Sequence, residues 1–280
     1  MAGKTVITCC LTGTGTPKSK NAALPTQPKE IAEDAYKVWK AGAAIVHLHM
    51  RDEKDIGTMD AARFRETVSR IKDKCGDDLI INLTSSGAKN VTDEDRLAHI
   101  IELKPEICSF DSGTFNWLPN FIFENSPGFL RKLGKVCIDY RIKPEIEVFD
   151  AGMLYSAQYF QSKEKILPEG SLHVQFVLGV LGMGKGDPQT LCYLKDKLPE
   201  GWTWAATGIG PCHLPVMYTT IALGGNLRVG LEDNLYYAHG QLATNEMLVE
   251  RAKRAVELYG GEVATPDEAR EILSIPPRKK

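Results

Sequence analysis

Lys40-Ala41-Gly42-Ala43-Ala44-Ile45-Val46-His47-Leu48-His49-Met50-Arg51-Asp52 holds the change of period on which the fold turns. A helical pattern runs as far as Ala41, and Gly42 supplies the stop that a helix C-terminus favours. The next residues, Ala43 to Val46, are all apolar, which reads as a strand buried on both faces. A helix that passes directly into such a strand is the unit of a parallel sheet with crossover helices. Alternate strand residues share a face, so His47 and His49 project two imidazoles to the same side. The pair is either a hydrogen-bonded feature of the core or two ligands of a metal site whose third ligand comes from elsewhere.

The same alternation extends in both directions. Strand patterns cover residues 5–11, 44–49, 79–84, 107–111, 145–149, 172–178, 202–206 and 227–230. Helical patterns cover 29–41, 60–74, 93–103, 129–133, 151–161, 188–197, 214–223 and 241–259. Eight strands alternating with eight helices predict an α/β fold, a closed (β/α)8 TIM barrel. No linker-like stretch or fixed-period repeat divides the chain. Residues 1–280 therefore read as one barrel domain, with residues 265–273 as a short C-terminal helical extension.

Composition narrows the function. The chain is 43% hydrophobic and 25% charged with a formal charge of -2, so nothing electrostatic suggests nucleic acid or an anionic membrane as partner. No apolar run is long enough to span a bilayer, and Met1-Ala2-Gly3-Lys4 leads into a strand without a secretory segment. The seven cysteines form no Cys-x-x-Cys pair, which points to a reducing, cytoplasmic setting and leaves histidine as the better metal ligand. Arg278-Lys279-Lys280, after Pro276-Pro277, reads as a solvated tail.

In such a barrel, chemistry sits at the C-terminal ends of the strands. Those ends carry Thr12-Gly13-Thr14-Gly15, His47 and His49, then Asn82, Thr84, Ser85 and Ser86. Ser109, Asp111, Glu147, Thr207-Gly208, Arg228, Glu232 and Asp233 follow. Glu232 is the natural third ligand, because two imidazoles and one carboxylate leave a coordination position open. Its plainer reading is an acidic turn facing solvent. Arg228 and Asp233 lie close enough in sequence to pair across a turn, either as a structural ion pair or as an oriented general base. Gly179 to Gly186 imitates a phosphate loop, but Gly186 follows Lys185 where a hydroxyl is required, so a rim loop is expected instead. Gly13-Thr14-Gly15 and Gly208-Ile209-Gly210 offer backbone N–H groups to an anion, with Lys18, Lys185 and His213 as candidate contacts. There is no Gly-x-Ser-x-Gly elbow.

Three segments taken together resemble the β-keto acid cleavage enzymes, of the 3-keto-5-aminohexanoate cleavage type. They are Leu24-Pro25-Thr26-Gln27-Pro28-Lys29-Glu30-Ile31-Ala32, Gly42 through Asp52, and Gly224-Gly225-Asn226-Leu227-Arg228-Val229-Gly230-Leu231-Glu232-Asp233-Asn234. The resemblance implies a zinc-dependent, tetrameric barrel that converts a β-keto acid and acetyl-CoA into acetoacetate and a new acyl-CoA. It implies His47, His49 and Glu232 as metal ligands and Asp233, steered by Arg228, as the base. Thr84 and Gly87 match a substrate-binding turn that also includes Ser85, and Ser109 matches a substrate-facing hydroxyl. Where the aminohexanoate enzymes carry a glutamate for the substrate ammonium, this chain has Gly15. A β-keto acid without a primary amine tail is therefore expected, unless Asp111 supplies the negative charge from another side. Two alternatives use the same residues differently: a CoA-independent metal-dependent aldolase or lyase, and a non-catalytic metabolite-binding protein with a structural metal.

Overall fold

Period-two alternation gives each core strand two unlike faces, and closing the sheet decides which face turns inward. The computed structural model describes residues 3–119 and 121–277; the basic tail read in Arg278-Lys279-Lys280 lies outside the described residues. Eight parallel strands close into a barrel. They are β1 Ile7–Cys10, β2 Ile45–Leu48, β3 Ile80–Leu83, β4 Ile107–Asp111, β5 Lys143–Val148, β6 His173–Leu178, β7 Thr203–Gly208 and β8 Asn226–Val229. The helices between and after them are α1 Pro28–Ala41, α2 Ala61–Cys75, α3 Asp93–Leu103, α4 Pro127–Tyr140, α5 Ala151–Tyr159, α6 Pro188–Asp196, α7 His213–Ala222 and α8 Asn245–Leu258, with α9 Pro266–Ile272 as the last. Neighbouring strands pair in sequence order and β8 pairs with β1, which is the (β/α)8 barrel expected from the alternation. Among the described residues no helix is long and apolar enough to cross a membrane.

The outward faces are apolar and pack beneath the helices. Val46, Leu48, Ile81 and Leu83 join the helices of the first half, and Phe110, Ile146, Val148, Val174 and Phe176 join those of the second. The inward faces are polar for most of their height. Cys10, His47 and Asn82 stand level across β1, β2 and β3. Ser109 is level with Glu145, and Asp111 with Glu147. The N-terminal ends of the strands are apolar instead. Val6, Ala44, Ile45, Ile80 and Ile107 meet Ala264, Ala269, Leu273 and Ile275, so α9 and its flanks close the floor. The parallel pairing of Lys4–Thr5 with Glu262–Val263 ties that segment to the start of the chain. Core burial is thus concentrated outside and below the strands, and the upper lumen is left to polar groups.

Several boundaries differ from the pattern for identifiable reasons. The helix expected over 129–133 runs from Pro127 to Tyr140, continuing through Gly134. A Cβ at Gly134 would collide with the carbonyl oxygen of Ile166, so glycine there serves close packing. The pattern over 241–259 begins only at Asn245, because Gln241–Leu242 pairs antiparallel with Tyr236–Ala238. A second rim hairpin, Phe115–Trp117 with Phe121–Phe123, interrupts the connection after β4.

Gly134→Ala separates the two effects. Helix propensity alone would stabilise the variant by about 1 kcal/mol. The clash with Ile166 is expected to reverse the sign and cost about 1–3 kcal/mol in urea unfolding.

Candidate active site

β2 ends by presenting His47 and His49 edge to face, with ring centroids 5.0 Å apart. The connection after β8 brings Glu232 to them by turning sharply. Gly230 has φ +140°, and a Cβ there would strike the backbone of Cys10 on β1. The Asp233 and Asn234 N–H groups donate back to the Gly230 carbonyl, and Glu232 N–H donates to the carbonyl of Cys10. Glu232 Oε1 lies 3.6 Å from His49 Nε2 and 4.0 Å from His47 Nε2. Two further glycines let backbone close around the group. A Cβ at Gly13 would lie 2.7 Å from Glu232 Cγ, and one at Gly87 would lie 2.8 Å from His49 Nδ1.

This donor set fits a zinc ion. One ligand atom from each of His47, His49 and Glu232 falls within a 4.8 Å cluster, and Glu232 Oε2 is buried with no hydrogen-bond partner. Two imidazoles and a carboxylate make three protein ligands and leave an open position for substrate. Burial holds His47 well below the ordinary histidine range and brings His49 down to about 4, so both present neutral rings. Burial, reinforced by the Asp233 charge against the pull of Arg228, moves Glu232 up to about 7.

Arg228 is the hub of the lumen. Its side chain is 3% exposed. Nε donates to Asp233 Oδ2 at 2.9 Å and Nη2 to Asp233 Oδ1 at 3.0 Å, a bidentate fork. Nη1 donates to Glu147 at 3.0 Å, and Nη2 also reaches Glu232 Oε1 at 2.8 Å. The Thr207 hydroxyl donates to Asp233 Oδ2 at 3.1 Å. Asp233 is thereby fixed in orientation beside the three candidate ligands.

The remaining sequence candidates divide into those at the mouth and those used elsewhere. Thr84 bonds within its own turn through its hydroxyl, to Ser86. Ser109 Oγ accepts from the Ser85 N–H at 2.9 Å, so these two brace the loop after β3. Gly15 is exposed at the rim, and a Cβ there would meet open space. Asp111, the alternative source of negative charge, is buried on the inward face of β4, level with Glu147. Burial, with Glu147 adding to it against the pull of Arg96, pushes its carboxyl well above the ordinary range. Lys18 is engaged by Glu30 at 2.6 Å. His213 turns Nδ1 to the Gly210 carbonyl. The Gly179–Gly186 segment folds against the rim hairpin, with Leu118 N–H donating to the Leu181 carbonyl.

Three buried polar residues carried no role in the sequence reading. Glu145 lies one inward position below Glu147 and accepts from Asn82 Nδ2 at 2.7 Å. Arg51 is 1% exposed and donates to the carbonyls of Gly13 and Thr12. Asn245 receives the Leu231 N–H and donates to Leu11 and Asp34. Strict alternation would have found Glu145 below Glu147 and Arg51 beyond His49. Nothing local marks Asn245, which acts across more than two hundred residues of chain.

A profile of the beta-keto acid cleavage enzymes matches residues 4–275. The chain belongs to this family. It is 40% identical to a 3-keto-5-aminohexanoate cleavage enzyme of Fusobacterium nucleatum subsp. nucleatum, over 98% of this chain and 99% of that one. It is 36% identical to the 3-dehydrocarnitine:acetyl-CoA trimethylamine transferase of Rhizobium meliloti, over 97% of each. It is 32% identical to the 3-oxoadipate:acetyl-CoA acetyltransferase of Cupriavidus necator, over 97% of this chain and 95% of the relative. Among solved structures, apo ObcA shares the fold with a TM-score of 0.79 at 18% identity; the match covers 90% of this chain and 66% of ObcA. The chain is thus an enzyme of the β-keto acid cleavage and acetyl-CoA transferase family.

Arg228→Met leaves Asp233, Glu147 and Glu232 without their shared cation. Unfolding by urea is expected to show a loss of about 3–5 kcal/mol. Arg228→Lys keeps the charge without the fork and should fall between the two; an unchanged midpoint in Arg228→Met would contradict the role given to this residue.

Proposed function

We propose that the protein is a zinc-dependent acyltransferase that converts a β-keto acid and acetyl-CoA into acetoacetate and a new acyl-CoA. The observation that carries this reading is the bidentate Arg228–Asp233 pair set against His47, His49 and Glu232 at one barrel mouth. The acetyl-CoA named for the relatives of Rhizobium meliloti and Cupriavidus necator supports the co-substrate. On family resemblance the proposal extends to a cytoplasmic homotetramer.

When bound by His47, His49 and Glu232, zinc supplies Lewis acidity toward the ketone and carboxylate oxygens of the substrate. Asp233, aimed by Arg228 and Thr207, takes the proton from the carbon between those two groups. That carbon attacks the acetyl carbonyl of acetyl-CoA, and the thioester C–S bond breaks to release the CoA thiolate. The CoA thiolate then bonds to the distal acyl carbon, the bond between that carbon and the nucleophilic one breaks, and Asp233 returns the proton to the departing acetoacetate. Atoms balance, because the acyl and acetyl groups exchange partners. The loops after β3 and β4, braced by Thr84, Ser85, Gly87 and Ser109, enclose the substrate beside these groups.

The tail is chosen at the rim. Gly15 offers no anionic partner to an ammonium group at the rim, and burial raises Asp111 toward its neutral form. We therefore assign a β-keto acid whose tail is not a primary amine.

Asp233→Asn is expected to lower turnover by about 10²–10⁴-fold while zinc stays bound, and His47→Ala to release the zinc. Product formed without acetyl-CoA would establish a lyase instead, and unchanged turnover in Asp233→Asn would point to a binding protein. Mass spectrometry of acyl-CoA products from a mixed β-keto acid pool should show neutral or anionic tails leading, with Gly15→Glu shifting preference toward amines.

Zinc affinity should depend on pH through Glu232. Its folded value of about 7 exceeds the ordinary 4.5, so its neutral form stabilises the metal-free protein at low pH. That contribution disappears as the pH rises through 7. Zinc requires the ionised carboxylate, so its affinity should climb over this same window and level off above it. Calorimetry in buffers of different ionisation enthalpy should detect about one proton released per zinc at pH 6 and little at pH 8.

A further inference from the structure

The histidine that begins the metal cluster has a second nitrogen, and its surroundings are as specific as those of the first. His47 and Asn82 are register partners on β2 and β3, both facing the lumen. His47 Nδ1 and Asn82 Oδ1 are each buried with no hydrogen-bond partner. The other end of the Asn82 amide is committed, since Nδ2 donates to Glu145 Oε1 at 2.7 Å. An ionised Glu145 can only accept in that contact, so turning the amide over would set its own oxygen against the carboxylate.

We propose that Glu145 and Asn82 are positioning residues that fix the tautomer of His47. Glu145 orients the amide, and the amide oxygen faces Nδ1 and places the ring hydrogen there. Nε2 is left with its lone pair, and Nε2 is the nitrogen on the Glu232 side, 4.0 Å from that carboxylate. The opposite tautomer would point a hydrogen into the metal position. Outer partners of this kind orient ligating histidines and raise their basicity. The inference rests on the zinc reading given above. It also decides between two clusters, because His47, Glu145 and Glu147 lie close enough together to hold an ion of their own. Here Glu145 acts through Asn82 and is no ligand.

The test is the Zn2+ affinity of the full chain, stripped of metal and titrated against a competing chelator, with urea midpoints to verify folding. Asn82→Leu should weaken zinc binding about 10–100-fold in a folded protein. Glu145→Gln should weaken it by freeing the amide to turn, and Asn82→Asp by setting two carboxyl groups against each other. The double variant Asn82→Asp/Glu145→Gln reverses donor and acceptor between the two positions and keeps an acceptor toward His47. It should recover affinity toward that of the parent. Parent-like affinity in Asn82→Leu would overturn the proposal. So would a double variant no better than either single one, the result expected if Glu145 were itself a ligand. Failure of the zinc reading looks different: the parent binds no zinc, or His49→Ala and Glu232→Gln leave it in place, and the proposal falls with it.

Discussion

The barrel is organised around a shortage of positive charge. The lumen gathers Asp111, Glu145, Glu147, Glu232 and Asp233, all in or beside the layers that Arg228 reaches. One guanidinium cannot balance five carboxyl groups in a place that excludes water. Burial therefore retains protons on some of them, and Glu145 and Glu232 both move up to about 7. Arg51 gives its donors to the carbonyls of Thr12 and Gly13, and Arg96 gives its own to Ser85, Glu124 and Asn125, so among the described residues neither forms a salt bridge with these five groups. A divalent cation held by His47, His49 and Glu232, as proposed, would relieve the shortage where it is most acute. Metal binding and the ionisation of the site are on this view one event.

That arrangement explains the distribution of apolar burial. A barrel whose interior is given to charge cannot draw its stability from interior packing layers. The outward strand faces beneath the helices and the floor closed by Ala269, Leu273 and Ile275 carry that load. The upper end is stiffened by directed contacts: the Gly230 turn against Cys10, Gly13 against Glu232, Gly87 against His49.

The strands were legible because buried parallel strands are short apolar runs separated by helical periodicity, a signal that survives without any tertiary information. The His-x-His pair was legible for the same reason, since alternation alone places both rings on one face. Arg228 and Asp233 could be paired from their separation across a turn. Other features depend on contacts that sequence order hides. The close approach of the Ile166 carbonyl to Gly134 has no local signal. The hairpin Phe115–Trp117 with Phe121–Phe123 is too short to distinguish from loop. That Asp111 is buried level with Glu147, which raises its carboxyl, follows from the strand register and not from the local sequence.

The order of strands at the mouth has one more consequence. β1 lies between β8 and β2, yet the cluster of His47, His49 and Glu232 reaches across it without taking a side chain from it. The loop that follows β1 touches the ligands at Gly13 and then departs toward the rim at Gly15. Under the proposed function, support of the metal cluster and selection of the tail would thus fall two residues apart on one loop, at Gly13 and Gly15. On that proposal a lineage would be able to exchange the group at the rim while the bond-making machinery stayed assembled, so the path from one substrate tail to another need not pass through an inactive protein.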